Sequence, residues 1–285
     1  MALNVYDINM QIVEHFIMGK TGDPDLCEDG LVVSEYFTAV IDGATNISSV
    51  LFNSRTPGRI AMDLIKETIG SLEAETSAWD AERIINRRIY SWYEQNNVLE
   101  TMRRFPEQRC TASAVIYSDA RRELWLVGDC HALLNGVLYQ PDKKVDRLLS
   151  ELRAMLICLE LSRGKTETEL LMKDTGREKI LDFMRMQMEL QNAVPENEFT
   201  YYVFDGFPCE SPNRLKIVPV DRQNGEIVLA SDGYPKIFAS LSESEDYLAQ
   251  ILREDPLCYK LYRTTKGRYG KNLSFDDRSY IRFRY

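Results

Sequence analysis

The sequence predicts an α+β fold of antiparallel sheets covered by helices, and three observations predict it. Apolar, β-branched stretches follow one another closely near both ends of the chain, as strands joined by hairpins do. Helical periodicities come in separate runs and do not alternate one for one with strands, which argues against a parallel doubly wound sheet. Asn135-Gly136, set between Ala132-Leu133-Leu134 and Val137-Leu138-Tyr139, is the dipeptide that a two-residue hairpin turn demands.

Taken in order, residues 3–16 and 31–41 read as strands, with β-branched and aromatic residues in partial alternation. Pro57 suits the first turn of a helix running to about residue 72. Ser77 suits the N-cap of a second helix reaching about residue 102, with Trp79, Ile84, Ile85, Ile89 and Tyr93 on its apolar face. Strands return at 111–117 and 123–127, followed by the Asn-Gly hairpin. From 145 to about 191 the pattern is helical, broken near Gly164 and Gly176 and ended by Pro195. Residues 143–194 thus read as a helical flap inserted in a single domain spanning 1–285. Strands are expected at 199–204, 215–220 and 227–230, short helices from 235 to about 262, and a last strand at 279–285. A basic, glycine-containing loop carrying Arg263, Lys266, Arg268 and Lys271 precedes that strand; next to Asp276 in sequence it could help attract an anionic substrate, though such a run is more often a mobile, solvated loop.

At 44% hydrophobic residues the chain can bury a sizeable core, and its net charge of −9 argues against a nucleic-acid partner. No apolar run approaches the length of a membrane span, and residues 1–18 lack the pattern of a signal peptide. None of the six cysteines forms a CxxC pair, so free thiols in a reducing, cytoplasmic setting are expected. The only histidines, His15 and His131, exclude a His-rich zinc site and leave few bases for Ser-His-Asp or Cys-His catalysis. His15 reads as a strand-face residue and His131 as a polar residue on a turn. No GxxxxGK[ST] or GxGxxG loop is present to cradle phosphate.

The chemistry points to carboxylates at strand ends. Apolar runs exit into Asp42-Gly43, Gly128-Asp129 and Asp232-Gly233, while Glu28-Asp29 and Asp276-Asp277 precede other strands. Antiparallel pairing sets the start of one strand beside the end of its neighbour, so these acids can meet at one rim. Gathered carboxylates need compensation, and divalent cations with a preference for oxygen supply it. Glycine after the aspartate lets the backbone approach such an ion.

In this colinear order the sequence resembles the type 2C metal-dependent protein phosphatases over most of its length. The family's early acidic motif is matched by Glu28-Asp29 and its DG-bearing strand end by Val40-Ile41-Asp42-Gly43. Its GTTA-like strand start is matched loosely by Cys110-Thr111-Ala112, and its GDSR turn by Gly128-Asp129-Cys130-His131. Ala230-Ser231-Asp232-Gly233 matches its SDG motif and Asp276-Asp277 its final acidic pair. The resemblance implies a four-layer sandwich, two antiparallel sheets flanked by pairs of helices. It implies two Mg²⁺ or Mn²⁺ ions bridged by Asp42, with the Gly43 carbonyl on one, Asp232 and Asp276 completing the other, and Glu28 or Asp29 acting through water. A third, weaker ion would sit on Asp129 and Asp232. A metal-bridging hydroxide would attack phosphorus, and the substrates would be phosphoserine or phosphothreonine of proteins, or a small phosphomonoester.

Two departures stand out. The family often places a histidine two residues after the bridging aspartate, where this chain has Ala44. Without that acid, aryl phosphates should be hydrolysed far better than alkyl ones. The arginine that some relatives use to bind phosphate is also missing, leaving Lys20 and, near a helix start, Arg55 and Arg59 as candidates. A phosphatase-like binding or regulatory module with weak or no turnover is therefore the alternative to an enzyme.

Overall fold

The computed structural model describes residues 10–221 and 224–285; the part of the first expected strand before residue 10 lies outside them. Among the described residues, ten strands form two five-stranded antiparallel sheets. The strands are β1 (Gln11–Met18), β2 (Asp29–Val33), β3 (Phe37–Gly43), β4 (Ala112–Ser118), β5 (Glu123–Val127), β6 (His131–Leu134), β7 (Val137–Tyr139), β8 (Lys216–Pro219), β9 (Glu226–Ala230) and β10 (Arg278–Arg284). One sheet has the order β2-β3-β4-β5-β8 and the other β1-β10-β9-β6-β7.

Period-two alternation makes both faces of each sheet apolar. Phe37, Ala39, Ile41, Ala114 and Ile116 meet two helices, α1 (Pro57–Gly70) and α2 (Ala78–Gln95), on the outer face of the first sheet. Val40, Val115 and Leu126 pack against Leu229, Ile281 and Phe283 between the sheets. Val228, Ala230 and Tyr280 line the outer face of the second sheet, against Leu248 of α7 (Leu241–Glu254) and the segments around Tyr234 and Phe275. The layers are thus helix, sheet, sheet, helix. Thr56 and Ser77 cap α1 and α2 by accepting from the N–H groups of Arg59 and Asp80.

Several local expectations change. Residues 31–41 form two strands, because Ser34 turns the chain, its N–H donating to the Phe37 carbonyl at 2.9 Å. The second helix stops at Gln95, where Asn97 takes a positive φ of 57°, and a short helix, α3 (Leu99–Arg104), follows. Trp79 and Ile84, expected on its buried face, are 37% and 46% exposed, while Ile85, Ile89 and Tyr93 are buried. Residues 199–204 form only isolated bridges, through Tyr201 and Phe204, since β4 already has a partner on each edge. The short helices expected between 235 and 262 are the single α7. Helices α4 (Lys144–Ser162), α5 (Glu167–Met172) and α6 (Thr175–Met186) fill the middle segment. Asn135 and Gly136 take φ of 48° and 83°, as the two central residues of the hairpin turn between β6 and β7 must.

Candidate metal centre

Alternation also decides where the acids point. On β3, Asp42 shares parity with Val40, which faces the second sheet; on β2, Asp29 shares it with Leu31; before β10, Asp277 shares it with Ser279 and Ile281. Antiparallel register then puts Asp29 directly opposite Asp42. β3, β5 and β9 end, and β2, β6 and β10 begin, at one rim of the sandwich. There the structure brings Asp42, Asp129 and Asp232 together, each half-buried, with a carboxylate oxygen of each within 4.8 Å of the others.

The glycines of these motifs are places of close backbone approach. A Cβ on Gly233 would stand 1.9 Å from the Asp277 carbonyl oxygen, and one on Gly43 2.4 Å from that of Gly58. Gly128 has φ of +84°, and a Cβ there would lie 2.1 Å from Ser113 Oγ. Ser113 uses that hydroxyl to donate to Asp129 Oδ1 at 2.6 Å.

The remaining acids surround the three. Asp276 lines the same cavity and is ion-paired with Lys266 and, at 3.6 Å, with Lys20. Glu28, Asp29 and Asp277 are buried deeper and do not line it. Asp29 accepts from Ser279 Oγ at 2.8 Å; Glu28 accepts from Thr56 Oγ1 at 2.6 Å. Asp277 accepts from the Glu28 N–H at 3.1 Å and the Lys20 N–H at 2.7 Å, stitching the two sheets at the rim. Lys20 sits among Glu28, Asp276 and Asp277, its Nζ 3.2 Å and 3.1 Å from Glu28 Oε2 and Asp277 Oδ2. Arg55 is ion-paired with Asp63 on α1 and is not brought to the cavity. Arg59 donates to the Cys27 carbonyl at 2.8 Å and pairs with Asp63.

The cavity, about 120 Å³, lies between this rim and the helical segment. Three cations missed as a group in the sequence line it: Lys143, Arg177 and Lys266. Lys143 Nζ lies 2.8 Å from Asp146 and 3.5 Å from Asp129, over the ring of Tyr201. Lys143 and Arg177 carry no motif; only the packing of α4 and α6 over the rim reveals them. Lys266 belongs to the basic loop expected to be solvated, yet its side chain is only 16% exposed.

Burial and then the neighbouring Asp232, Asp29 and Asp129 raise the Asp42 carboxyl well above its usual range. Burial, Asp129 and Asp276 push Asp232 up to about 7. At Asp129 burial is outweighed by Lys143 and the Ser113 hydroxyl, and at Asp276 by Lys266 and Lys20, so both are held low. His131, expected on a turn, is buried at the start of β6, and burial pushes it down to about 4. It is a neutral imidazole at pH 7. Burial raises the Cys130 thiol well above its usual value, so no thiolate joins the site.

The donor set fits hard divalent cations, being all carboxylate oxygen.

No family model matches the sequence, and no curated protein matches it. Solved structures do align with the chain. The Mycobacterium tuberculosis serine/threonine phosphatase PstP/Ppp aligns over 96% of this chain and 97% of its own at 14% identity, with a TM-score of 0.47. A structure of the PstP catalytic domain with two manganese ions gives 14% identity over 96% and 98%, with a TM-score of 0.49. The phosphatase Stp1 from Staphylococcus aureus gives 14% over 100% and 99%, with a TM-score of 0.48.

Proposed function

We propose that this chain is a Mg²⁺- or Mn²⁺-dependent phosphatase acting on phosphomonoesters, foremost phosphoserine and phosphothreonine of proteins. The observation that carries this reading is the meeting of Asp42, Asp129 and Asp232 from three strand ends, oxygens within 4.8 Å, beside a cavity also lined by basic side chains. The order of acidic motifs that resembles the type 2C phosphatases supports it. No helix among the described residues is long and apolar enough to cross a membrane.

In this reading Asp42, Asp232 and Asp276 would hold two ions with the help of Gly43, and Asp129 with Asp232 would serve a third. Bound there, such ions would neutralise charge on a phosphoryl group and lower the pKa of a coordinated water. The chain's own residues do the rest. Ser113 fixes the Asp129 carboxylate, and Lys20 holds Glu28 and Asp277 where they support Asp42 and Asp276. Lys143, Arg177 and Lys266 give the cavity wall a positive face for a dianionic group. Ile47, Met184 and Met188 form an apolar wall that limits water. Ala44 leaves no histidine to protonate a departing alkoxide.

Ala44, together with the ion pairs that Lys20 and Lys266 make to the acids, favours a second reading: a phosphatase-like binding module with little turnover. Hydrolysis of p-nitrophenyl phosphate with Mn²⁺, Mg²⁺ or EDTA separates the two, alongside Asp42→Ala and Asp232→Ala. Metal-dependent turnover lost in both variants is expected. Folded protein inert with either ion would select the binding module. A phosphopeptide panel run against a panel of phosphorylated metabolites then distinguishes the substrate classes.

A further inference from the structure

We infer that Lys266 anchors the phosphoryl oxygens of the substrate, an inference that rests on the phosphatase reading above. A run of basic residues next to glycine is ordinarily a loose, solvated loop. Here it is clamped. Arg153 of α4 is fully buried, and its Nη1 donates to the carbonyls of Cys258 at 3.2 Å and Thr264 at 3.1 Å. Its Nη2 donates to the Leu257 carbonyl at 2.8 Å, and Nε and Nη2 reach Asp174 Oδ2 at 2.9 Å and 2.6 Å. Arg177 of α6 donates to the Thr265 carbonyl at 2.9 Å, and the Arg268 N–H donates to the Pro256 carbonyl at the same distance. Gly267 lies so close that a Cβ would stand 2.7 Å from the Leu257 carbonyl oxygen and 2.9 Å from Arg153 Nη2. Burying a guanidinium is costly unless its donors are matched. Here the matched donors hold the backbone on both sides of one residue, Lys266.

The clamp fixes the Lys266 ammonium at the cavity, against Asp276 and 2.7 Å from Thr45 Oγ1. Thr45 directly follows Ala44, the position where the resemblance leads one to expect a histidine. An ammonium has three donors, and these two contacts leave one for a ligand. Of the other cations, Arg177 shares the cavity wall but spends a guanidinium donor on the Thr265 carbonyl, and the rest are committed or absent from the cavity. Lys20 is divided among Glu28, Asp276 and Asp277 outside it; Arg55 pairs with Asp63; Lys143 is held by Asp146 and Asp129. Lys266 is therefore placed to take a non-bridging oxygen of a phosphomonoester, with Arg153 and Arg177 as positioning residues that act through the loop.

The test compares wild type, Lys266→Met and Lys266→Arg at saturating Mn²⁺. Inorganic phosphate binding is read by calorimetry, KM and kcat with p-nitrophenyl phosphate, and Mn²⁺ binding by electron paramagnetic resonance. Lys266→Met should weaken phosphate binding and raise KM by roughly 10- to 100-fold, the worth of one charge-assisted hydrogen bond, with Mn²⁺ binding kept. Lys266→Arg should recover most of it. Wild-type phosphate affinity and KM in Lys266→Met, or loss of Mn²⁺ binding there, would overturn the inference. If Lys266→Met fails to fold, Lys266→Gln, which keeps a donor toward Thr45, carries the same expectation. Wild type that binds Mn²⁺ but neither binds phosphate nor turns over would overturn the phosphatase reading itself, and this inference with it.

Discussion

Replacing Arg153 by Met tests whether the clamp over the rim is energetically real. The side chain is fully buried and makes five hydrogen bonds, two to Asp174 and three to the carbonyls of Leu257, Cys258 and Thr264. Methionine fills much of the volume but leaves Asp174, whose side chain is 10% exposed, without its cation and the three carbonyls without their donor. Removing one partner of a buried pair costs about 3–5 kcal/mol. The figure does not grow with each lost bond, because Asp174 keeps the Arg177 N–H at 2.8 Å as the cap of α6. Against a total stability of about 5–15 kcal/mol this is a large fraction. Urea unfolding followed by circular dichroism should show the midpoint falling accordingly at unchanged slope. Asp174→Asn and the double variant complete a cycle whose coupling should exceed about 1 kcal/mol. A loss below about 1 kcal/mol in Arg153→Met would refute the reasoning, since surface substitutions commonly cost no more.

Gly233→Ala should destabilise by about 1–3 kcal/mol or more in thermal melts and weaken Mn²⁺ binding, because its Cβ would stand 1.9 Å from the Asp277 carbonyl oxygen and push apart the acids on either side. Glu245 accepts from Arg278 at 2.7 Å and 2.9 Å and from Tyr234 at 2.6 Å; burial opposes its charge, but these partners outweigh it and hold the carboxyl below its usual range. Its contribution is thus present above the ordinary glutamate pKa and fades as pH falls through the lowered one. Glu245→Gln should cost about 1–3 kcal/mol at pH 7, with the gap from wild type closing in urea melts on acidification below about pH 4. With Ala44 in place of a histidine acid, p-nitrophenyl phosphate should be hydrolysed about 10²–10⁴-fold faster than a phosphoserine peptide. Equal kcat/KM values would show that another group protonates the leaving oxygen.

Much of this site could be read from the sequence because each acid closes or opens an apolar run. Asp42, Asp129 and Asp232 follow strand cores, and period-two alternation with antiparallel pairing is enough to send them to one rim. The first-turn Pro57, the cap Ser77 and the turn at Asn135-Gly136 were legible from local chemistry alone, whereas the Thr56 cap was not read. What was hidden depends on packing. The turn at Ser34 has no glycine or proline to mark it, so apolar periodicity runs through it. The 199–204 segment has strand composition but no free sheet edge to join. Lys143 and Arg177 reach the cavity only because α4 and α6 lie over it. The basic loop looks solvated until the buried Arg153, an unremarkable helical arginine in the sequence, is found beneath it.

The central claim is that Asp42, Asp129 and Asp232 gather divalent cations. Titration of metal-free protein with Mn²⁺, reading the free ion by electron paramagnetic resonance, tests it most directly, with Asp42→Asn and Asp232→Asn measured in parallel. The account predicts at least two ions per wild-type chain and loss of the tighter binding in both variants, each still folded by circular dichroism. Wild-type protein that binds no Mn²⁺, or variants that bind it as wild type does, would contradict it.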